Sequence, residues 1–455
     1  MIPPDDARTT AKTEPDDQGD VQERTGRRRR RLTATITDLE VGRQRAFLVG
    51  VALPGTGPEG AQRSLDELGL LSETAGSDPV DTELVKRSQV DPATFIGKGK
   101  AEELAALVKS LEIDVVVFDN DLTPAQQRNL QRIFECDVVD REALILDIFA
   151  QHASSREGSI QVELALLRYH LPRLRGKGTE LSRLGGGIGT RGPGETKLET
   201  DRRRILTRIS RLERELGQLA KTRQVQRKAR RRSQLPQVSL VGYTNAGKST
   251  LLNRLTEAGV LAEDQLFSTL DSTVRRCDLP DGSVALLSDT VGFVRRLPHQ
   301  LVEAFRSTLE EVREADLLLH LVDASDPDPD GQVGAVREVL GEIGAQEVPE
   351  LLVLNKADAA KAVALRRLAG LHPEAVIVSA LTGGGADHLL QRVAEEVKAS
   401  SVAVRLEIPY ARGDVLAAAH RLAEVLAEKH EDHATVVEAR IPRDRLPAFA
   451  EFLAG

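Results

Sequence analysis

Gly242, Gly247, Lys248 and Ser249 stand in the order Gly-x4-Gly-Lys-Ser, directly after Val238-Ser-Leu-Val241 and before Thr250-Leu-Leu-Asn-Arg-Leu255. A strand running into a glycine-rich loop and then a helix offers successive backbone N–H groups, at the helix's positive end, to an anion. Tyr243, Thr244, Asn245 and Ala246 complete that cradle. The Lys248 ammonium is placed to bridge two phosphates, and the Ser249 hydroxyl suits a magnesium ion. Further along, Asp289-Thr290-Val291-Gly292 closes the run Val284-Ala-Leu-Leu-Ser288. Asp289 can hold Mg2+ through a water, and the Gly292 N–H can face a terminal phosphate whose loss releases the loop that follows.

Two more strings choose the base. Asn355-Lys356-Ala357-Asp358 follows Leu351-Leu-Val-Leu354, and Ser379-Ala380-Leu381 follows Val376-Ile-Val378. The Asp358 carboxylate can accept from both N1–H and the 2-amino group of guanine, a donor pair adenine lacks. Leaving that carboxylate unpaired costs on the order of a thousandfold in selectivity. Lys356 is expected along the base, and the loop at Ser379–Ala380 offers an N–H to the base oxygen. The strings together specify GTP and GDP, with Lys248, Asp289 and Gly292 around the reacting phosphate.

Between the phosphate strings lies Phe267-Ser268-Thr269-Leu270-Asp271, then Ser272-Thr273. A switch loop needs a threonine to complete the γ-phosphate and Mg2+ sphere, and composition leaves Thr269 and Thr273 both open. Phe293 stands where many GTPases place the glutamine that orients the attacking water. It has no donor or acceptor, so slow intrinsic turnover is expected. Asn245 stands where an asparagine can hold K+ beside the phosphates, or where it simply favours a turn.

The elements that must position these groups follow from patterning. Among 455 residues 40% are hydrophobic, with no Trp and only Cys136 and Cys277, so several Leu/Val/Ile/Ala cores are expected and a disulfide scaffold is not. No run approaches the roughly 18 apolar residues of a membrane span. The start, Met1-Ile-Pro-Pro-Asp-Asp, is unlike a signal peptide, and a cytoplasmic protein without a membrane partner is expected. Nothing calls for a second copy, so a monomer is expected.

Residues 1–42 read as a disordered tail carrying the basic run Arg27–Arg31. Residues 43–153 alternate strands (46–53, 113–118, 136–139) with helices (64–70, 99–111, from Thr123-Pro124, 141–152), a small parallel-sheet α/β domain. Residues 154–235 read as a basic helical hairpin, with helices over 160–174 and 198–232. Its tip is Leu184-Gly-Gly-Gly-Ile-Gly-Thr-Arg-Gly-Pro-Gly-Glu195, too glycine-rich to be helical. Residues 236–400 form the α/β P-loop GTPase domain. Residues 401–455 form a small α/β domain with strands at 402–408 and 434–440 and a helix over Asp414–Lys429.

Net charge is −8, yet the hairpin is strongly basic. Arg173, Arg175, Lys177, Arg183 and Arg191 surround the glycine loop. Arg202, Arg203 and Arg204 open a helix whose only acids are Glu199, Asp201, Glu213 and Glu215. A solvated charged face normally balances its signs; this excess points to RNA. His299 and His320, with no partnered acid in view, read as structural.

Over roughly 45–440 the chain resembles the HflX-type ribosome-associated GTPases. The likeness rests on Phe95-Ile-Gly-Lys-Gly-Lys-Ala-Glu-Glu103, Leu122-Thr-Pro-Ala-Gln-Gln127, Gly186-Gly-Ile-Gly-Thr-Arg-Gly-Pro-Gly-Glu-Thr-Lys-Leu-Glu-Thr200 and Phe267-Ser-Thr-Leu-Asp271. The resemblance implies docking of the first domain and hairpin on rRNA near the peptidyl-transferase region. It also implies a GTP-dependent grip on the 50S subunit, a role in splitting or rescuing ribosomes, Thr269 with Ser249 as the metal ligands, and no catalytic glutamine. The alternatives are a tRNA-modification or assembly GTPase, and a nucleotide-gated RNA-binding adaptor whose hydrolysis is incidental.

Overall fold

The computed structural model describes residues 43–55, 57–174, 193–232, 235–256, 266–267, 273–296, 306–399, 401–442 and 445–454. The tail 1–42 with Arg27–Arg31, the glycine loop to residue 192, Arg175, Lys177, Arg183, Arg191, Ser268–Asp271 and His299 lie outside these residues.

Apolar β-rich runs become the buried strands β1 (Gln44–Ala52) and β3 (Val115–Phe118) of a four-stranded parallel sheet in the order β2-β1-β3-β4. β2 (Ser77–Lys86), not anticipated, is a polar edge strand holding Asp78, Pro79, Asp81 and Glu83; pairing with β1 overrides its composition. α1 (Pro58–Thr74), α2 (Lys98–Ser110), α3 (Pro124–Phe134), β4 (Asp137–Asp140) and α4 (Arg141–His152) complete this unit. A capping box starts α3: the Gln126 N–H donates to Thr123 Oγ1 (3.3 Å), and Gln126 Oε1 accepts from the Thr123 N–H (3.0 Å). Strand order reverses between β1 and β3, opening a crevice at their carboxyl ends.

α5 (Arg156–Arg173) and α6 (Pro193–Arg232) pack through Ile160 and Leu164 against Ile209 and Leu212. The helix starts earlier than the glycines suggested, and Pro193-Gly194-Glu195 are helical. Proline is at home in the first turn, where its missing N–H has no partner to lose. Arg208–Glu163 (2.7 Å), Arg168–Glu213 (2.9 Å) and Arg156–Glu215 (2.6 Å) tie the seam.

The third layered unit is a six-stranded sheet ordered β10-β9-β8-β5-β7-β6. Its strands are β5 (Gln237–Gly242), β6 (Thr273–Asp278), β7 (Val284–Asp289), β8 (Leu317–Asp323), β9 (Glu350–Asn355) and β10 (Val376–Ile377), with β6 alone antiparallel. α7 (Lys248–Thr256), α8 (Arg306–Arg313), α9 (Pro329–Glu342), α10 (Ala362–Leu371) and α11 (Ala386–Ala399) join them. Leu251 and Leu252 of α7 and Leu389 and Val393 of α11 pack on Val238, Leu240, Leu287 and Leu321. β5 is the strand from which the chain turns first to one side (β7) and later to the other (β8), so the loop after it faces a switch-point crevice.

The last unit pairs β11 (Ser401–Pro409), β13 (Ala434–Pro442) and β12 (Glu424–His430) antiparallel, with α12 (Gly413–Leu422) across one face. The expected helix Asp414–Lys429 therefore ends at Leu422. Glu424-Val-Leu-Ala-Glu-Lys is rich in helix formers, but Ala423 turns extended (ψ 154) and the segment pairs with β13. Among the described residues no helix is long and apolar enough to cross a membrane.

Candidate functional site

The loop after β5 has the backbone its sequence requires. Gly242 and Gly247 sit at φ 155 and 90. A Cβ on the first would lie 2.4 Å from the Leu321 carbonyl oxygen and on the second 2.4 Å from Asn355 Nδ2. Only glycine fits either place. Lys248 is 6% exposed and donates to the carbonyls of Gly242 (3.2 Å) and Tyr243 (2.9 Å). Burial pulls this ammonium down to about 8, with Asp289 opposing.

That value carries a pH prediction. If Lys248 meets phosphate as its place in the motif predicts, it enters the complex already charged below about pH 8, and above that a proton must be taken up on binding. GTP affinity therefore falls about tenfold between pH 7 and pH 9, and binding takes up close to one proton at the upper end. Titration calorimetry in buffers of different ionisation enthalpy measures both. A flat affinity over that range contradicts the assignment.

Ser249 donates its hydroxyl to Asp289 Oδ2 at 2.6 Å, and both residues are buried. Thr290 donates to the Leu240 carbonyl (2.6 Å) and anchors the end of β7. Gly292 is close enough that an added Cβ would meet Thr244 Cγ2 at 2.8 Å and Lys248 Nζ at 3.1 Å. Val291 and Phe293 are buried. The Phe293 N–H donates to Gly242 (3.1 Å) and its carbonyl accepts from the Thr244 N–H (2.7 Å), so its backbone fastens the switch segment to the phosphate loop. Its sequence signal was only a missing glutamine.

At the base end, Asn355 is buried and bridges two loops. Its Nδ2 donates to the Ala246 carbonyl (2.8 Å), and its Oδ1 accepts from the Ala380 N–H (2.9 Å). That N–H, a candidate donor to the base, is thus already engaged. Asp358 Oδ1 accepts from Ser379 Oγ (2.5 Å), and the Ala357 N–H donates to the Val378 carbonyl (3.2 Å). Lys356, at φ 58, is fixed by Asp323 at 2.8 Å. Leu381 is exposed, and its carbonyl accepts from Arg254 Nη2 at 2.6 Å.

Other expected residues lie elsewhere. Thr273 opens β6 opposite Asp289, in a strand rather than a loop. Phe267 buries its ring against Phe149 of α4, centroids 4.5 Å apart, with φ 60. Tyr243 turns its hydroxyl away from the cradle toward Glu67. Arg173 does not face outward: it donates to Gln127 (3.1 Å), Leu122 (3.0 Å) and Asp140 (3.0 Å) and lies over the Tyr169 ring. Arg202, Arg203 and Arg204 are exposed, the last paired with Asp201 at 3.5 Å. His320 is fully buried and, contrary to the expectation of no partnered acid, lies 2.7 Å from Glu350. Against its own burial, bonds from His320 and Arg337 bring the Glu350 carboxyl down to about 2.

Three family models match in series: GTP-binding GTPase N-terminal over residues 62–150, GTP-binding GTPase Middle Region over 152–230, and 50S ribosome-binding GTPase over 237–356. The GTPase HflX of Lacrimispora saccharolytica is 45% identical over 418 residues, covering 91% of this chain and 98% of that protein. The GTPase HflX of Escherichia coli K12 is 46% identical over 381 residues, covering 83% and 89%. The chain belongs to the HflX GTPase family. A solved GTP-binding protein from the archaeon Sulfolobus solfataricus, in complex with GDP, is 24% identical with a TM-score of 0.41, covering 78% of this chain and 99% of that one.

As a member of the HflX family the chain is a P-loop protein that binds and hydrolyses GTP. Sequence reasoning missed four of the side chains around its site: Glu67, Arg254, Asp323 and Arg295. Each acts across a long sequence separation, and none sits in a string with its own spacing signal. Only Asp323, ending the largely apolar run Leu317-Leu-Leu-His-Leu-Val322, could have been suspected as a strand-end carboxylate.

Proposed function

We propose that this HflX-family GTPase is a monomeric cytoplasmic protein that grips 50S ribosomal RNA in its GTP state and releases it after hydrolysis. Ribosome splitting or rescue is the role proposed. In this reading Lys248 and the cradle hold the β- and γ-phosphates, the Gly292 N–H senses the last one, and Asp358 reads guanine. Ser249 and Asp289 present hard oxygens side by side at the phosphate end, a donor set that suits Mg2+. Thr269 joins them on the family resemblance. The bound ion would neutralise developing phosphate charge. Phe293 offers no group to orient water, which supports slow turnover until the subunit contributes. Asn245 lies at φ 59, which turn chemistry alone accounts for; comparing turnover in KCl and NaCl tests its K+ role.

The RNA grip is carried by one observation. The α5–α6 seam uses Glu163, Glu213 and Glu215 in ion pairs, while Arg203, Arg211 and Arg214 have no acid partner among the described residues. Helical spacing places these three opposite the buried Ile209 and Leu212. The 50S ribosome-binding GTPase model over residues 237–356 supports a ribosomal partner. Replacing the three arginines by alanine is expected to weaken 50S binding at least about tenfold at 0.15 M salt. It should also flatten the salt dependence by two to three units of slope, about 0.9 per phosphate contact. Sedimentation over a salt series reads both, and unchanged slopes would take α6 off the RNA. A nucleotide-gated adaptor is separated by GTP turnover, which 50S subunits would leave unstimulated.

A further inference from the structure

The switch segment beyond Gly292 is tied to the first sheet by a chain of side chains. The Tyr243 hydroxyl donates to Glu67 Oε1 on α1 and accepts the Arg295 N–H at 2.8 Å. Glu67 Oε2 accepts from Arg141 Nη2 (2.7 Å), a guanidinium only 1% exposed at the start of α4. Arg141 Nη1 donates to Asp119 (2.9 Å), just past β3, and Arg296 reaches the same carboxylate at 3.4 Å. Two consecutive switch residues, one by its N–H and one by its side chain, thus end on the β1/β3 switch point.

A phenol has one proton to give. With that proton committed to Glu67, the lone pairs of the Tyr243 oxygen are left to receive the Arg295 N–H. Burial and the Glu67 charge push the phenol's ionisation far upward, so the proton stays. Arg141 in turn fixes the carboxylate that receives it.

We propose that Glu67 is a positioning residue for GTP hydrolysis: it aims the Tyr243 hydroxyl at the Arg295 N–H and thereby sets the backbone that carries Gly292 and Phe293 against the phosphate loop. Backbone placement weighs heavily here because Phe293 has no side-chain group to hold water. Misplacement by about 1 Å can cost up to a hundredfold in rate.

The inference rests on the nucleotide seat described above, and the test separates the two. Steady-state GTP turnover of the full-length chain is compared for Tyr243→Phe, Glu67→Ala, Glu67→Gln and Tyr243→Phe/Glu67→Ala. Each of the first two is expected to lower kcat at least about fivefold with KM within about threefold. The double variant is expected to be no slower than the slower single, since both act through one bond. Glu67→Gln keeps one acceptor for the Tyr243 hydroxyl but turns its amide NH2 toward the Arg141 Nη2 donor, so it is expected to recover only part of the rate lost in Glu67→Ala. Glu67→Ala leaves the buried guanidinium with Asp119 as its one acid partner among the described residues and risks unfolding; Tyr243→Phe leaves the Glu67–Arg141 pair intact and then carries the test against Glu67→Gln. An unchanged or raised kcat in Tyr243→Phe, a change confined to KM, or losses that multiply in the double variant would overturn the relay. Absence of GTP uptake by the unaltered chain would instead remove the seat, and the relay with it.

Discussion

Lys248→Ala is expected to lose GTP and GDP binding, with affinity falling at least about a hundredfold at neutral pH. The ammonium sits at the mouth of the Gly242–Ser249 loop, held by two carbonyls of that loop and otherwise enclosed. Charge-assisted hydrogen bonds contribute about 1.5–3 kcal/mol each, and two phosphates would share this group. The variant also removes a buried charge that sits well below its usual pKa, so the empty protein should melt no earlier than the parent. Thermal melting therefore serves as the folding control for the binding titration. Unchanged GTP affinity in a folded Lys248→Ala protein would refute the phosphate assignment.

Asp358→Asn is expected to move preference from GTP to XTP, with GTP affinity falling by roughly a thousandfold. Xanthine carries a carbonyl where guanine carries its 2-amino group, and the asparagine amide donates where the carboxylate accepts. The loop itself is expected to survive. Ser379 Oγ donates to Asp358 Oδ1, an acceptor that asparagine retains, and Asn355 holds the adjoining loop independently. Competition between labelled GTP and unlabelled XTP measures the shift. Retained preference for GTP would count against Asp358 as the base reader.

What could be read from the chain, and what could not, divides along a physical line. Strings whose chemistry is local declared themselves: the glycines that only a left-handed or crowded backbone needs, the Thr123 cap, and the continuous apolar strands β1, β3, β5 and β9. The errors fell where long-range pairing overrides local preference. β2 is an edge strand with acids and a proline, and β12 is a strand written in helix-forming residues; both are set by their neighbour, β1 or β13. Arg173 looked like part of a basic face because its partners, Asp140, Gln127 and the Leu122 carbonyl, lie far back in the sequence. The Glu350 partner of His320 and the Glu67 partner of Tyr243 were hidden for the same reason. The strings assigned to the nucleotide are contiguous in motif, so they stand out in the sequence; their contacts with the first sheet are contiguous only in space.

In the function proposed for this protein, one terminal phosphate decides whether the basic arm holds RNA. Co-sedimentation of the full-length chain with purified 50S subunits, in Mg2+ with either GDP or a non-hydrolysable GTP analogue, addresses that claim directly. The expected result is pelleting with the analogue and at least about a tenfold weaker association with GDP, the size of an ordinary coupling free energy of 1–3 kcal/mol. Equal association in both nucleotide states, or none in either, would contradict it.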